Sequence, residues 1–217
     1  MEKERHSLSI SRRPPDILRV EALRFLDNGP YSFDIRSGEC VGLSGPSGVG
    51  KTQLLRAMTD LIEHQGRVLL DDVPADDVPA PAWRSMVTMI PAESAWWYEL
   101  VGDHFPREMG KDEAKALLAN VGFGPDVFNW QTNRLSTGEK QRLALLRGLC
   151  HGPGVLLLDE PCSALDSKHT ILVEDFILSH QKEHGTVILW VSHDPEQLQR
   201  VASKVFVMEK KSLLEST

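Results

Sequence analysis

Eight consecutive residues, Gly45-Pro46-Ser47-Gly48-Val49-Gly50-Lys51-Thr52, set glycines at the first, fourth and sixth places before a lysine and a hydroxyl. That spacing suits phosphate. Gly45 and Gly50 let the chain curl so that successive backbone N–H groups point inward at anionic oxygens. A helix opening at Lys51 adds positive potential at the same spot. In this pattern Lys51 reaches the β- and γ-phosphates of a nucleotide and the Thr52 hydroxyl ligates Mg²⁺. Pro46, Ser47, Gly48, Val49 and Gln53 complete the loop and the first helical turn around it.

Two acidic residues end the apolar run "VLLLDEP" (155–161). A strand finishing in Asp159 sets a carboxylate at the C-terminal edge of a sheet, where ligands bind in α/β folds. Asp159 there can hold Mg²⁺, and Glu160, one residue on, can polarise a water for in-line attack on a γ-phosphate. His193 ends a further apolar run, "VILWVSHD", and can contact the γ-phosphate and the attacking water from a third strand end.

The elements that must carry these residues alternate. "ILRVEALRF" (17–25) and "YSFDI" (31–35) have strand character, with Asn28-Gly29 between them favouring a tight hairpin. "ECVGLSG" (39–45) reads as a buried strand, followed by a helix from Lys51 to about Glu63 and a strand at 66–70. Residues 71–82, rich in Asp, Pro and Ala, read as a surface loop, and 84–91 as a strand. From about Ser94 to Leu149 the pattern is helical, broken at Gly122–Pro125, as an inserted lobe. Then strands at 154–160, 186–194 and 204–210 alternate with helices, the first over 166–184. Fully apolar strands alternating with helices imply a mostly parallel sheet covered on both faces, an α/β fold.

The totals narrow the classes. At 217 residues, 41% hydrophobic and 25% charged, the chain can bury a real core, and its net charge of -7 argues against a nonspecific nucleic-acid binder. Cys40, Cys150 and Cys162 are too scattered for a disulfide framework or a zinc site, which suits a reducing compartment. Residues 1–16 are polar, end in "RRPPD" and lack the apolar centre of a secretory signal, so they read as a flexible arm. Apolar runs such as "VLLL" and "VILWV" are far below a membrane span, so a membrane role requires a partner.

One more segment, "LSTGEKQR" (135–142), read alone is a polar helix start with Ser136 or Thr137 as its cap. In order, "GPSGVGKT", "LSTGEKQR", "VLLLDEP", "SALD" and "WVSHD" resemble the nucleotide-binding subunit of ABC transporters, over nearly the whole chain from about Ile17 to Met208. The resemblance implies a P-loop NTPase with a mostly parallel core sheet, an antiparallel β subdomain and an inserted helical lobe at about 94–149, in one domain over 17–217. It implies ATP and Mg²⁺ as ligands, with Lys51, Glu160 and His193 catalytic and Thr52 and Asp159 on the metal. It also implies a head-to-tail homodimer, in which Ser136 and Gly138 of one chain close over the γ-phosphate held by the other, with "SALD" (163–166) crossing the interface through Asp166. Phe25 falls where the family stacks an aromatic on adenine.

Two features qualify the resemblance. The family usually has Gln just after the strand matched by "VTMIP", and here Ala92 stands there, so the link between ATP occupancy and the helical lobe is altered. "SAWWYEL" (94–100) lies where the family docks a coupling helix of its membrane subunit. The function implied is an ATPase subunit energising transport through a polytopic permease on the cytoplasmic face of a bacterial inner membrane. No nucleic acid is expected. The motif set is most similar to compact ATPases of metal exporters of the iron-efflux type. The alternatives are a soluble, non-transport ABC ATPase acting on DNA or the ribosome, and a regulatory nucleotide-binding module with little turnover.

Overall fold

A computed structural model describes residues 14–106 and 111–216. The arm expected over 1–16 lies outside the described residues except for Pro14, Pro15 and Asp16. Pro15 is buried, and the Asp16 N–H donates to Asp71 Oδ1 at 2.8 Å.

The chain begins with β1 (Ile17–Phe25), β2 (Asn28–Arg36), β3 (Cys40–Ser44) and α1 (Lys51–Met58), then β4 (Gln65–Leu70), β5 (Val73–Pro74), α2 (Ala80–Met86) and β6 (Val87–Ile90). α3 (Lys111–Asn120) and α4 (Thr137–Leu149) follow. β7 (Val155–Asp159), α5 (Ser167–His184), β8 (Val187–Val191), α6 (Pro195–Val201), β9 (Lys204–Met208) and β10 (Leu213–Ser216) complete it. A four-stranded antiparallel sheet runs in the order β2-β1-β4-β5. A six-stranded sheet runs β10-β9-β3-β8-β7-β6 and is parallel except at β10.

The two sheets follow from two sequence patterns. β2 alternates buried and exposed residues, so one face packs and the other meets solvent. β7 and β8 are buried at every position, as strands covered on both faces must be. One apolar cluster fills the space between the sheets and α1 and includes Leu18, Ile35, Leu54, Met58 and Leu157. A second lies on the other face of the parallel sheet, joining Leu145 of α4, Val173 and Ile177 of α5 and Leu198 of α6 to Leu156 and Trp190. Residues 101–146 hold a third cluster of their own, centred on Val101, Leu118, Val127 and Leu143.

Several elements depart from the sequence reading. The tight turn between β1 and β2 is Leu26–Asp27, and Asn28 already pairs with Phe25, so Asn-Gly is strand here. α1 stops at Met58, well before Glu63, where the Thr59 N–H and hydroxyl both donate to Leu55 O and Asp60 takes a left-handed φ of 54°. The 71–82 loop and the first residues of the 84–91 strand contain α2. Its Pro81 fits a first helical turn, and its Trp83 is wholly buried. Residues 94–100 are not helical, and between there and α4 short 3₁₀ turns replace much of the expected helix. The strand β10 was not foreseen.

Trp83 ties α2 to α1: its indole N–H donates to Met58 O at 3.0 Å, and its ring has no exposed surface. Trp83→Ala should therefore cost about 3–5 kcal/mol through the cavity and the orphaned helix-end carbonyl. Urea unfolding should show this as a lower midpoint at unchanged slope.

Candidate functional site

β3, β8 and β7 are neighbours in the parallel sheet, and three candidate segments leave their C-terminal ends side by side. From β3 comes the loop 45–50. Gly45 holds φ 144°, and a Cβ there would lie 2.6 Å from Met208 O of β9. Gly50, at φ 111°, backs onto the side chain of Asn28, which a Cβ would strike. Asn28 Nδ2 donates to Val49 O at 2.8 Å in a buried bond, so the antiparallel sheet pins the loop from behind. Asn28 was missed as a site residue because Asn-Gly was read as a turn. It lies one residue ahead of the buried Gly29, Tyr31 and Phe33 alternation, which carried no hint of the loop contact.

Lys51 is 7% exposed, and its ammonium donates back to Gly45 O at 2.9 Å and Pro46 O at 3.2 Å. Burial lowers its pKa, while the charges of Glu160 and Asp159 oppose that shift. From β7 comes Asp159, whose Oδ2 accepts from the Thr52 hydroxyl at 2.8 Å. Glu160 follows with a left-handed φ of 51°, its N–H donating to Val191 O at 3.1 Å. This backbone turns the Glu160 side chain back into the site. Its Oε1 is buried and accepts no hydrogen bond. Burial pushes the Glu160 carboxyl up, with the neighbouring His193 and Lys51 pulling the other way.

From β8 comes His193. Its Nε2 lies 3.4 Å from Glu160 Oε1, without hydrogen-bond alignment, and 3.4 Å from Lys51 Nζ. Lys51, Thr52, Asp159, Glu160 and His193 thus converge. Gln53 sits half-buried in the first turn of α1.

Ser136 and Gly138 are elsewhere. Ser136 caps α4 in a closed box with Glu139: its N–H and hydroxyl donate to Glu139 Oε2 at 2.8 Å each, and the Glu139 N–H donates to Ser136 Oγ at 3.3 Å. A Cβ on Gly138 would meet Ala164 O at 2.8 Å, so α4 packs tightly on the 163–166 segment of its own chain. Among the described residues, no hydrogen bond or ion pair joins Ser136 or Gly138 to the phosphate loop.

Phe25 requires a correction. It is 2% exposed, packs 5.8 Å from the Tyr31 ring and belongs to the core, so it offers no open face to a base. Its place on a buried alternation phase of β1 decides this. The exposed apolar group at that edge is Leu26, 81% exposed, on a cleft of about 330 Å³ that Arg24, Asn28, His64 and Lys211 also line. Ala92 is half-buried after Pro91 and brings no polar group.

Trp96, Trp97 and Tyr98 surround the His104 ring at 4.8, 4.9 and 5.1 Å. His104 Nε2 accepts from the Trp97 and Tyr98 N–H groups at 3.0 Å each, and the Arg147 guanidinium lies over both indoles. Trp97 and Tyr98 remain more than half exposed, and Leu100 and Trp130 are partly so. Among the described residues, no helix is long and apolar enough to cross a membrane.

Removing the Asn28 amide leaves Val49 O buried and unpaired and frees the loop behind Gly50. Asn28→Ala should weaken nucleotide affinity about tenfold, the cost of one buried hydrogen bond. Calorimetric titration of the folded variant would check this; unchanged affinity would mean that the loop holds its shape without Asn28.

Comparison with known proteins agrees with this arrangement. Residues 29–163 match the family model described as ABC transporter. Protein STAR1 of Oryza sativa subsp. japonica is 38% identical over 196 residues, covering 87% of this chain and 55% of that protein. The aliphatic sulfonates import ATP-binding protein SsuB 2 of Frankia alni is 36% identical over 178 residues, covering 80% of this chain and 68% of that one. The chain therefore spans little more than half the length of STAR1 and about two thirds of SsuB 2. Among solved structures, a bacterial Atm1-family ABC exporter with ATP bound matches with a TM-score of 0.84 at 20% identity, over 94% of this chain and 39% of that one. The structure of cbiO1 from Clostridium perfringens, part of the ABC transporter complex cbiONQ, matches with 0.78 at 24%, over 94% and 89%. These two likenesses carry the fold. The family match runs from the start of β2 through the phosphate loop and α4 to the turn after Glu160, and on that ground the chain belongs to the ABC transporter family, as one of its ATP-binding domains.

Proposed function

We propose that the chain energises transport through a separate, polytopic membrane permease, working as a head-to-tail dimer on the cytoplasmic face of the membrane. The observation that carries this reading is the division of the site. Lys51, Thr52, Asp159, Glu160 and His193 converge at one sheet edge, while the Ser136 end of α4 has no polar contact with the phosphate loop of its own chain. A second chain supplies what the first lacks.

In this reading the N–H groups of the 45–50 loop and the start of α1 take the ATP phosphates. Lys51 leaves the Gly45 and Pro46 carbonyls to bridge the β- and γ-phosphates. The oxygens of Thr52 and Asp159, 2.8 Å apart, suit a hard cation and would hold Mg²⁺, which supplies neutralisation of phosphate charge when bound. Glu160 takes the proton of the attacking water on its unpartnered Oε1, and its burial makes that carboxylate a stronger base than an ordinary one. His193 holds the water and γ-phosphate from the far side of Lys51. Hydrolysis should therefore fall off in acid above the range of an ordinary carboxylate, because Glu160 must be ionised to act.

The exposed Trp97, Tyr98, Leu100 and Trp130 support a protein partner at the 94–135 face, here the permease. The same patch and the net charge of -7 weigh against the soluble alternative acting on DNA or the ribosome. For cargo, the motif likeness to iron-efflux ATPases supports metal export, while names such as that of SsuB 2 support uptake. Transport assays in right-side-out and inverted vesicles, with the permease, separate the two.

Glu160→Gln should keep ATP binding and abolish turnover, since the amide cannot accept the proton, and should trap a dimer in Mg-ATP. Light scattering that finds only monomer at high protein concentration would count against the head-to-tail site.

Mixing variants tests the division directly. Ser136→Arg and Lys51→Ala should each be inactive alone. Together they should recover one working site per mixed dimer, formed by the intact loop of the first and the intact Ser136 end of the second. A mixture that stays at background at every ratio, although both variants fold, overturns the trans arrangement.

A further inference from the structure

We propose that Gln141 is a positioning residue for hydrolysis, holding Glu160 of its own chain in aim and tying it to the Ser136 end of α4. This rests on the reading of Glu160 as the base. Gln141 is 4% exposed and lies three residues after Gly138, on the same face of α4. Its Nε2 donates to Glu160 O at 2.7 Å and to Ser163 Oγ at 3.3 Å, and its Oε1 accepts from the Ala164 N–H at 3.1 Å. The amide orientation is fixed by its partners, because a carbonyl can only accept and a backbone N–H can only donate.

The clamp falls on the one strained residue of the site. Glu160 holds φ at 51°, a conformation that a side chain bearing a Cβ adopts at a cost and that persists only where surrounding contacts enforce it. Three bonds enforce it: Glu160 N–H to Val191 O at 3.1 Å, Ser163 N–H to Glu160 O at 3.2 Å, and Gln141 to the same oxygen. Of these only the Gln141 bond comes from a side chain, and only it reaches from the 94–149 stretch. Gly138 packs on Ala164 O beside it, so a shift of the N-terminal end of α4 is passed to the turn that aims Glu160.

The test compares Gln141→Met, which keeps size and loses all three bonds, with Gln141→Glu. For Gln141→Met, kcat should fall about 10- to 100-fold, the scale of a lost buried hydrogen bond at a reacting group, with the ATP dissociation constant within about twofold of wild type. Hydrogen exchange at the Ala164 amide should quicken even without nucleotide. For Gln141→Glu the ionised side chain cannot donate to Glu160 O, whereas the protonated acid can donate and accept as the amide does. The kcat ratio of Gln141→Glu to Gln141→Met should therefore rise as pH falls. Wild-type kcat in Gln141→Met, a loss confined to ATP affinity, a ratio flat with pH, or unchanged Ala164 exchange would each overturn the proposal. A wild-type protein that binds ATP without hydrolysing it would instead sink the reading of Glu160 as base. The exchange comparison would still decide whether Gln141 holds the turn.

Discussion

The site depends on the register of three adjoining parallel strands. β3, β8 and β7 pair so that Leu43, Val191 and Asp159 lie at the same edge, and each strand then releases a functional segment: the phosphate loop, His193 and Glu160. β7 and β8 are buried at every position, and β3 at all but Ser44, so sliding one against another would move apolar side chains out of two packed layers at once. That constraint brings groups more than a hundred residues apart in sequence within hydrogen-bond distance, as in the contact of Thr52 with Asp159. Burial that fixes the register also shifts the chemistry. It lowers the Lys51 pKa and raises that of Glu160, in each case because burial disfavours the charged form.

A second layer of support comes from outside those strands. The antiparallel sheet reaches the phosphate loop through Asn28, and α4 reaches the Glu160 turn through Gln141. Both are buried amides, each bonded to a main-chain carbonyl of a segment that turns sharply. Amides suit this task because they add direction without charge beside phosphates. The nucleotide edge is thereby tied to both lobes of the molecule, and a displacement of either has a short physical route to the reacting groups.

The Ser136 end of α4 shows the opposite economy of contacts. Its capping box pairs the Ser136 and Glu139 N–H groups within the first turn of the helix itself. Such an end is satisfied within the single chain, without drawing on the phosphate loop. The aromatic face at Trp97 and Tyr98 is built similarly, with His104 and Arg147 holding the rings from beneath while the outer surfaces stay open.

The sequence by itself determined the local chemistry. The glycine spacing of 45–52, the strand-end acids Asp159 and Glu160, the continuous apolar strands and the cap at Ser136 are all short-range patterns whose physics acts within a few residues. Only the tertiary structure decided matters of facing and contact. Phe25 and a base-stacking aromatic look alike in sequence, and the alternation phase of β1 turned its ring into the core. Asn28 read as a turn residue until strand pairing drew it behind Val49, because hydrogen bonding across sheets outweighs a local turn preference. Residues 80–86 read as loop and strand, yet burial of Trp83 against α1 made them helical. Gln141 stood in plain view within "LSTGEKQR", but its partners lie some twenty residues away, and only packing of α4 on the Glu160 turn gave its amide something to hold.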